Sequence, residues 1–222
     1  MKVVCLHGCS QTAEAFEGYL KSIIKKGKKE GIEFIFLNAP FPHPCGGLTW
    51  TDPPLVVEDI WHNRGCDTDA RTNPLDAVPK LKENYNILKD AFDLLGKTIE
   101  ETGAEVLLGF SQGSFVIYEY LIKTRDPRIK RAVAFSGYPF ARDSDSLENI
   151  ESLDIELLNV AHEMDAIVPR SVAFSKAKIV KTMIHNNKGY TEPNMDNPRE
   201  AHVLPTWAAD AQKIAMFLCG KE

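Results

Sequence analysis

Apolar residues fall into two kinds of run along this chain. Short continuous runs bounded by turn residues read as strands buried on both faces: Val3–Leu6, Ile32–Leu37, Ala104–Phe110, Lys130–Phe135 and Ile155–Val160. Runs with apolar residues three and four apart read as helices. One opens at Thr12, carries Phe16, Tyr19, Leu20, Ile23 and Ile24, and stops at Gly31. A longer one, from about Lys80 to Glu101, carries Leu81, Tyr85, Leu88, Phe92, Leu95 and Ile99. Further helices are expected from Ser111 to about Lys123 and from about Arg170 to Thr182. The last opens at Pro205-Thr206-Trp207, with Ala211, Ile214, Ala215 and Leu218 on one face. A short final strand is expected between Thr182 and Thr191. This alternation predicts an α/β fold, with a mostly parallel central sheet and helices on both faces. No repeat or linker divides the chain, so a single domain over residues 1–222 is expected.

One stretch breaks the rhythm. Residues 38–79 show no regular pattern and hold seven of the 13 prolines. An irregular segment of that length in a compact domain is usually a functional cover. Phe41, Trp50 and Trp61 within it admit two readings, pinning the segment to the body or lining a substrate pocket, and both can hold at once.

Composition narrows the function classes. A net charge of −5 over 222 residues gives no electrostatic reason to expect nucleic acid as a partner. The basic run Lys25-Lys26-Gly27-Lys28-Lys29 reads as a solvated helix end. Five cysteines form neither a C-x-x-C pair nor an even framework, so a reduced, cytoplasmic protein is expected, with Cys5 and Cys219 as small core residues. Val3–Leu6 is too short for a signal peptide, and no 18-residue apolar stretch predicts a membrane span.

The chemistry lies in Gly109-Phe110-Ser111-Gln112-Gly113, which joins a strand-like run to a helix-like one. Gly-x-Ser-x-Gly in that setting is a nucleophile elbow: a sharp turn exposes the serine hydroxyl, and the glycines let strand and helix approach closely. A serine hydroxyl needs an adjacent base, and the base an orienting carboxylate. Asp165 follows the strand Ile155–Val160 directly, where the acid of such a layout belongs; its plainer reading is a helix-start carboxylate near Arg170. Of six histidines, His202 precedes the final helix, in the order Ser, acid, His. The oxyanion hole is expected from the backbone N–H groups of Gln112 and of Cys9, in the loop after the first strand. No phosphate loop or dinucleotide fingerprint occurs, and His162-Glu163 lacks the closing histidine of a zinc helix, so neither cofactor nor metal is implied.

With these residues placed, the chain resembles an α/β-hydrolase, and within that superfamily the family of serine hydrolases, a branch of small carboxylesterases. The resemblance runs over nearly the whole length. It is carried by Cys5-Leu6-His7-Gly8, Asn38-Ala39-Pro40, the elbow with Ser114, Asp165-x-x-Val168-Pro169 and His202-Val203-Leu204-Pro205. The chain departs from that pattern at His162, where glycine is common, and at Ala201, where Gly-His is usual. The resemblance implies hydrolysis of a small-molecule carboxylic ester. Two alternatives stand beside it: an acyl thioesterase using the same triad, and a non-catalytic hydrolase-fold receptor.

Overall fold

A computed structural model describes residues 1–51, 85–137, 152–168, 180–186, 189–191 and 197–221. Six strands form its sheet: β1 (Lys2–Leu6), β2 (Glu33–Leu37), β5 (Val106–Phe110), β6 (Arg131–Phe135), β7 (Glu156–His162) and β8 (Val180–His185). Two short strands, β3 (Phe41–Pro42) and β4 (Leu48–Thr49), pair antiparallel outside it. The sheet order is β2-β1-β5-β6-β7-β8, and every neighbouring pair is parallel.

The apolar runs explain the layers. Val4, Leu6, Leu107, Ala132, Ala134 and Leu157 face one side of the sheet. There they meet α3 (Lys89–Thr102) and α4 (Gln112–Thr124) through Leu95, Ile99, Val116 and Tyr120. Their alternates Val3, Cys5, Val106, Leu108, Val133 and Val160 face the other side. Those residues pack on α1 (Ala13–Tyr19), α2 (Lys21–Lys29) and α5 (Ala208–Leu218) through Phe16, Ile23, Ile214 and Leu218. Strands covered on both faces have no polar side, so their sequence reads as unbroken apolar runs. Burial also pushes the Cys5 thiol well above its usual pKa, as suits a core residue.

Several boundaries differ from the sequence reading. The first expected helix is two, α1 and α2, because Leu20 leaves helical geometry with φ −88° and ψ 5°. Apolar spacing persists across that break, since both helices bury the same face, so periodicity alone does not reveal it. Gly31, at φ 78°, follows the end of α2 as expected. The described part of the irregular segment, residues 38–51, contains the β3–β4 hairpin. Of the helix expected near 170–182, residues 170–179 lie outside the described residues and 180–182 belong to β8. Trp207 is the N-cap of α5, so Pro205 precedes that helix instead of sitting in its first turn.

Topology concentrates the carboxyl ends of strands at one place. From β1 the chain moves outward to β2, then returns to β5 on the opposite side of β1. Such a reversal opens a crevice at the carboxyl ends of the two inner strands. Two of the loops expected to carry chemistry, after β1 and after β5, leave the sheet there.

Candidate active site

Two strand ends and the loop after β1 carry strained serines. Among the described residues the non-glycine positions with positive φ are Ser10 (57°), Ser111 (51°), Arg125 (48°) and Ser136 (45°). Ser10, Ser111 and Ser136 follow β1, β5 and β6, the inner neighbours in the sheet. Such conformations cost about 1–3 kcal/mol each and persist only where the surroundings enforce them. At Ser111 the enforcement is visible: its N–H donates to Phe135 O at 2.9 Å, extending the β5–β6 ladder, while its carbonyl accepts from Phe115 N at 3.0 Å to begin α4. One residue belongs to both a strand and a helix, and the turn between them is sharp.

The flanking glycines make that turn possible. A Cβ on Gly109 would lie 2.7 Å from Gly113 C and from Ser114 N. A Cβ on Gly113 would lie 2.3 Å from Leu6 O and 2.6 Å from His7 O. Strand β5, helix α4 and the end of β1 thus meet closer than any side chain allows.

Asp165 and His202 meet beside this edge. His202 Nδ1 donates to Asp165 Oδ2 at 2.8 Å. The second carboxylate oxygen, Oδ1, accepts from Ile167 N and Val168 N, each at 2.9 Å. Asp165 therefore caps a local turn with one oxygen and holds the His202 ring with the other. With Nδ1 protonated against a carboxylate, a neutral His202 keeps Nε2 as its basic atom. Phe110, the residue before Ser111, packs its ring 4.9 Å from the His202 ring. Ser111 is 9% exposed.

The side chain of Gln112 is anchored away from the elbow. Its Oε1 accepts from Trp50 N at 3.0 Å, and its Nε2 donates to Thr49 Oγ1 at 3.0 Å. Cys9 is half-buried in a loop clamped by the β3–β4 hairpin, where Ser10 N donates to Leu48 O and Leu48 N to Gln11 O, both at 2.9 Å.

Of the three aromatic residues expected in the cover, Phe41 lies half-buried in β3 and Trp61 lies outside the described residues. Trp50 has no exposed surface at all, and its indole Nε1 donates to His7 O at 2.8 Å. Of its two readings, the pin is the one its geometry supports.

His7 opens the loop after β1. It is fully buried, with Nδ1 donating to Gly8 O at 2.7 Å and Nε2 accepting from Ala39 N at 3.1 Å. That pair of bonds fixes the neutral tautomer with its proton on Nδ1. Burial holds its pKa below the ordinary value, against the opposing pull of the Gly8 carbonyl. The His-Gly pair at the end of β1 was the available signal, but its partners lie far along the chain.

A parallel sheet covered by helices on both faces, with a strained serine between strand and helix, defines the α/β-hydrolase fold. Solved structures agree: esterase PE8 superposes with a TM-score of 0.55 at 23% identity, over 90% of this chain and 89% of that one. SOBER1 of Arabidopsis thaliana gives 0.56 at 14% identity, over 98% and 97%. The model of the serine hydrolase (FSH1) family matches residues 1–202. The chain belongs to that family. A relative named esterase CG5412, from Drosophila melanogaster, is 29% identical over 80% of this chain, which spans 62% of that protein's length. One named esterase C25G4.2, from Caenorhabditis elegans, is 25% identical over 98% of this chain and 92% of its own.

Proposed function

We propose that the protein is a cofactor-free serine esterase acting on small-molecule carboxylic esters. The observation that carries this reading is the 2.8 Å bond between His202 Nδ1 and Asp165 Oδ2, beside the strained turn at Ser111. Ser111 Oγ attacks the ester carbonyl carbon while His202 Nε2 takes its proton. Asp165 holds the tautomer and stabilises the imidazolium that forms. The carbonyl oxygen becomes an oxyanion, accepting from the backbone N–H groups of Gln112 and Cys9. Collapse of the tetrahedral intermediate breaks the bond to the leaving alcohol, which His202 protonates. Water, deprotonated by His202, then attacks the acyl-enzyme and releases the acid with Ser111 restored.

Membership of a serine hydrolase family, and relatives named as esterases, support this reading. A Ser111→Ala protein assayed on a p-nitrophenyl acyl-ester series tests it. Loss of several orders of magnitude in kcat is expected, with a fluorophosphonate adduct mapping to Ser111 in the wild type. Wild-type turnover by Ser111→Ala would overturn the assignment. Thioesters of matched chain length, run in the same assay, determine whether sulfur or oxygen leaving groups are preferred.

A further inference from the structure

The proposed oxyanion donors belong to segments far apart in sequence, one after β1 and one at the start of α4. We propose that a buried bridge formed by His7 and Trp50 sets the position of one donor against the other, making both of them positioning residues for the reaction. The inference rests on the reading of Cys9 and Gln112 N–H groups as the donors.

The bridge begins at Gln112. Its carboxamide oxygen accepts from the backbone N–H of Trp50, which ties the first residue of α4 to the segment after β4. The orientation of the amide is settled by that contact, because only its oxygen can face a backbone N–H. From the same residue, the indole Nε1 reaches across to donate to His7 O at 2.8 Å. The two rings also pack, with centroids 5.1 Å apart. Trp50 thus holds the α4 segment through its main chain and the β1 loop through its side chain.

His7 carries the constraint to Cys9. Its Nδ1–H donates to Gly8 O, which also accepts from Gln11 N at 3.3 Å. Gly8 O and the N–H of Cys9 belong to one trans peptide, so they point in opposite directions. Fixing the carbonyl with two donors therefore aims the Cys9 N–H the other way. The ring itself is held from behind by Ala39 N–H on Nε2. Gly8 N donates to Gln11 Oε1 at 2.9 Å, so the preceding peptide plane is fixed as well.

Packing alone does not account for these groups. A buried aromatic that merely filled space would need no indole N–H, and a hydrocarbon ring would serve. Instead the only polar atom of the indole meets a carbonyl whose residue leads into the oxyanion loop. Oxyanion stabilisation depends on donors already in place when charge develops, and misplacement by about 1 Å can cost about a hundredfold in rate.

The test removes that N–H without altering shape. Replacing Trp50 with β-(3-benzothienyl)alanine exchanges the N–H for sulfur in an otherwise similar ring, and Trp50→Phe gives a genetically simple second variant. Both are assayed on a p-nitrophenyl ester and titrated with an aryl boronic acid, which forms a tetrahedral adduct on the serine. The expected result is a fall in kcat of about ten- to a hundredfold with KM within about twofold, and boronate affinity falling by a similar factor. Unchanged kcat and boronate affinity in the benzothienyl protein would overturn the bridge. So would a loss of kcat without any loss of boronate affinity, the mark of a merely structural role. Ser111→Ala, assayed in parallel, keeps the two readings apart: if it retains activity the serine mechanism fails, whereas a silent Trp50 change removes only the bridge.

Discussion

The ring of Phe110 lies 4.9 Å from that of His202, tilted by 36°. Phe110 is bonded to Ser111, so the contact links the proposed nucleophile and base through a rigid aromatic side chain. The same ring packs 6.4 Å from Phe16 on α1 and would meet a Cβ on Gly8 at 2.9 Å. The second position of the elbow is therefore a wedge between His202, the loop after β1 and the core. Phe110→Leu keeps an apolar residue there but removes the flat face. Its expected cost is about 1 kcal/mol of stability and about a tenfold fall in kcat with little change in KM. Thermal unfolding and steady-state kinetics of the purified variant check both values.

Asp165→Asn isolates the tautomer. The asparagine Oδ1 can still accept from Ile167 N and Val168 N, so the loop keeps its shape. Its Nδ2, however, presents donors to His202 Nδ1, which must then become the acceptor. The ring proton moves to Nε2, and His202 can no longer take a proton from Ser111. A loss of about 10⁴ in kcat is expected with Tm nearly unchanged. If activity stays within tenfold of wild type, Asp165 is only a turn cap.

Much of this arrangement was legible in sequence, for a definite reason. The strands are short continuous apolar runs because helices cover both faces; Ser111 and Asp165 each follow such a run, and His202 precedes the final helix. The break at Leu20 was hidden because α1 and α2 bury one continuous face. β8 overlaps the end of the expected helix near 170–182 because this edge strand contains Lys181 and Thr182, with Lys181 exposed. The contacts of Trp50 with His7 and with Gln112 span 43 and 62 residues, and no local pattern encodes them. A tryptophan in an irregular, proline-rich stretch looks the same whether it lines a pocket or seals a core.

Stability should depend on pH through His7. Burial holds its pKa below the ordinary 6.5. In the unfolded chain the imidazole takes up its proton near 6.5, while in the folded protein it stays neutral to lower pH. The unfolded state thus binds more protons in that window, and folding stability falls as pH drops below about 6.5. No such cost exists above it. His7→Asn cannot titrate, and its amide can still donate toward Gly8 O. Its unfolding free energy should be lower than wild type at pH 8 but change less between pH 7 and pH 5. Chemical denaturation across that range measures the slope, and parallel slopes in the two proteins would exclude His7 as their source.

The backbone at Ser111 predicts an opposition between stability and activity. At φ 51° and ψ −114° the residue sits where a Cβ is penalised, and the ladder to Phe135 O and the first turn of α4 prevent relaxation. Ser111→Gly removes both the hydroxyl and the Cβ, so the strain disappears with the nucleophile. Ser111→Ala removes only the hydroxyl and keeps the strain. Both should lose ester hydrolysis, yet the glycine variant should be the more stable by about 1 kcal/mol, after the greater entropy of an unfolded glycine is subtracted. For a protein of this size that is a difference in Tm of about 2–4 °C. Calorimetry of the two variants side by side cancels the common loss of the hydroxyl and reads the backbone term directly. Equal melting temperatures would mean that the turn at Ser111 stores no strain beyond what glycine's own flexibility costs.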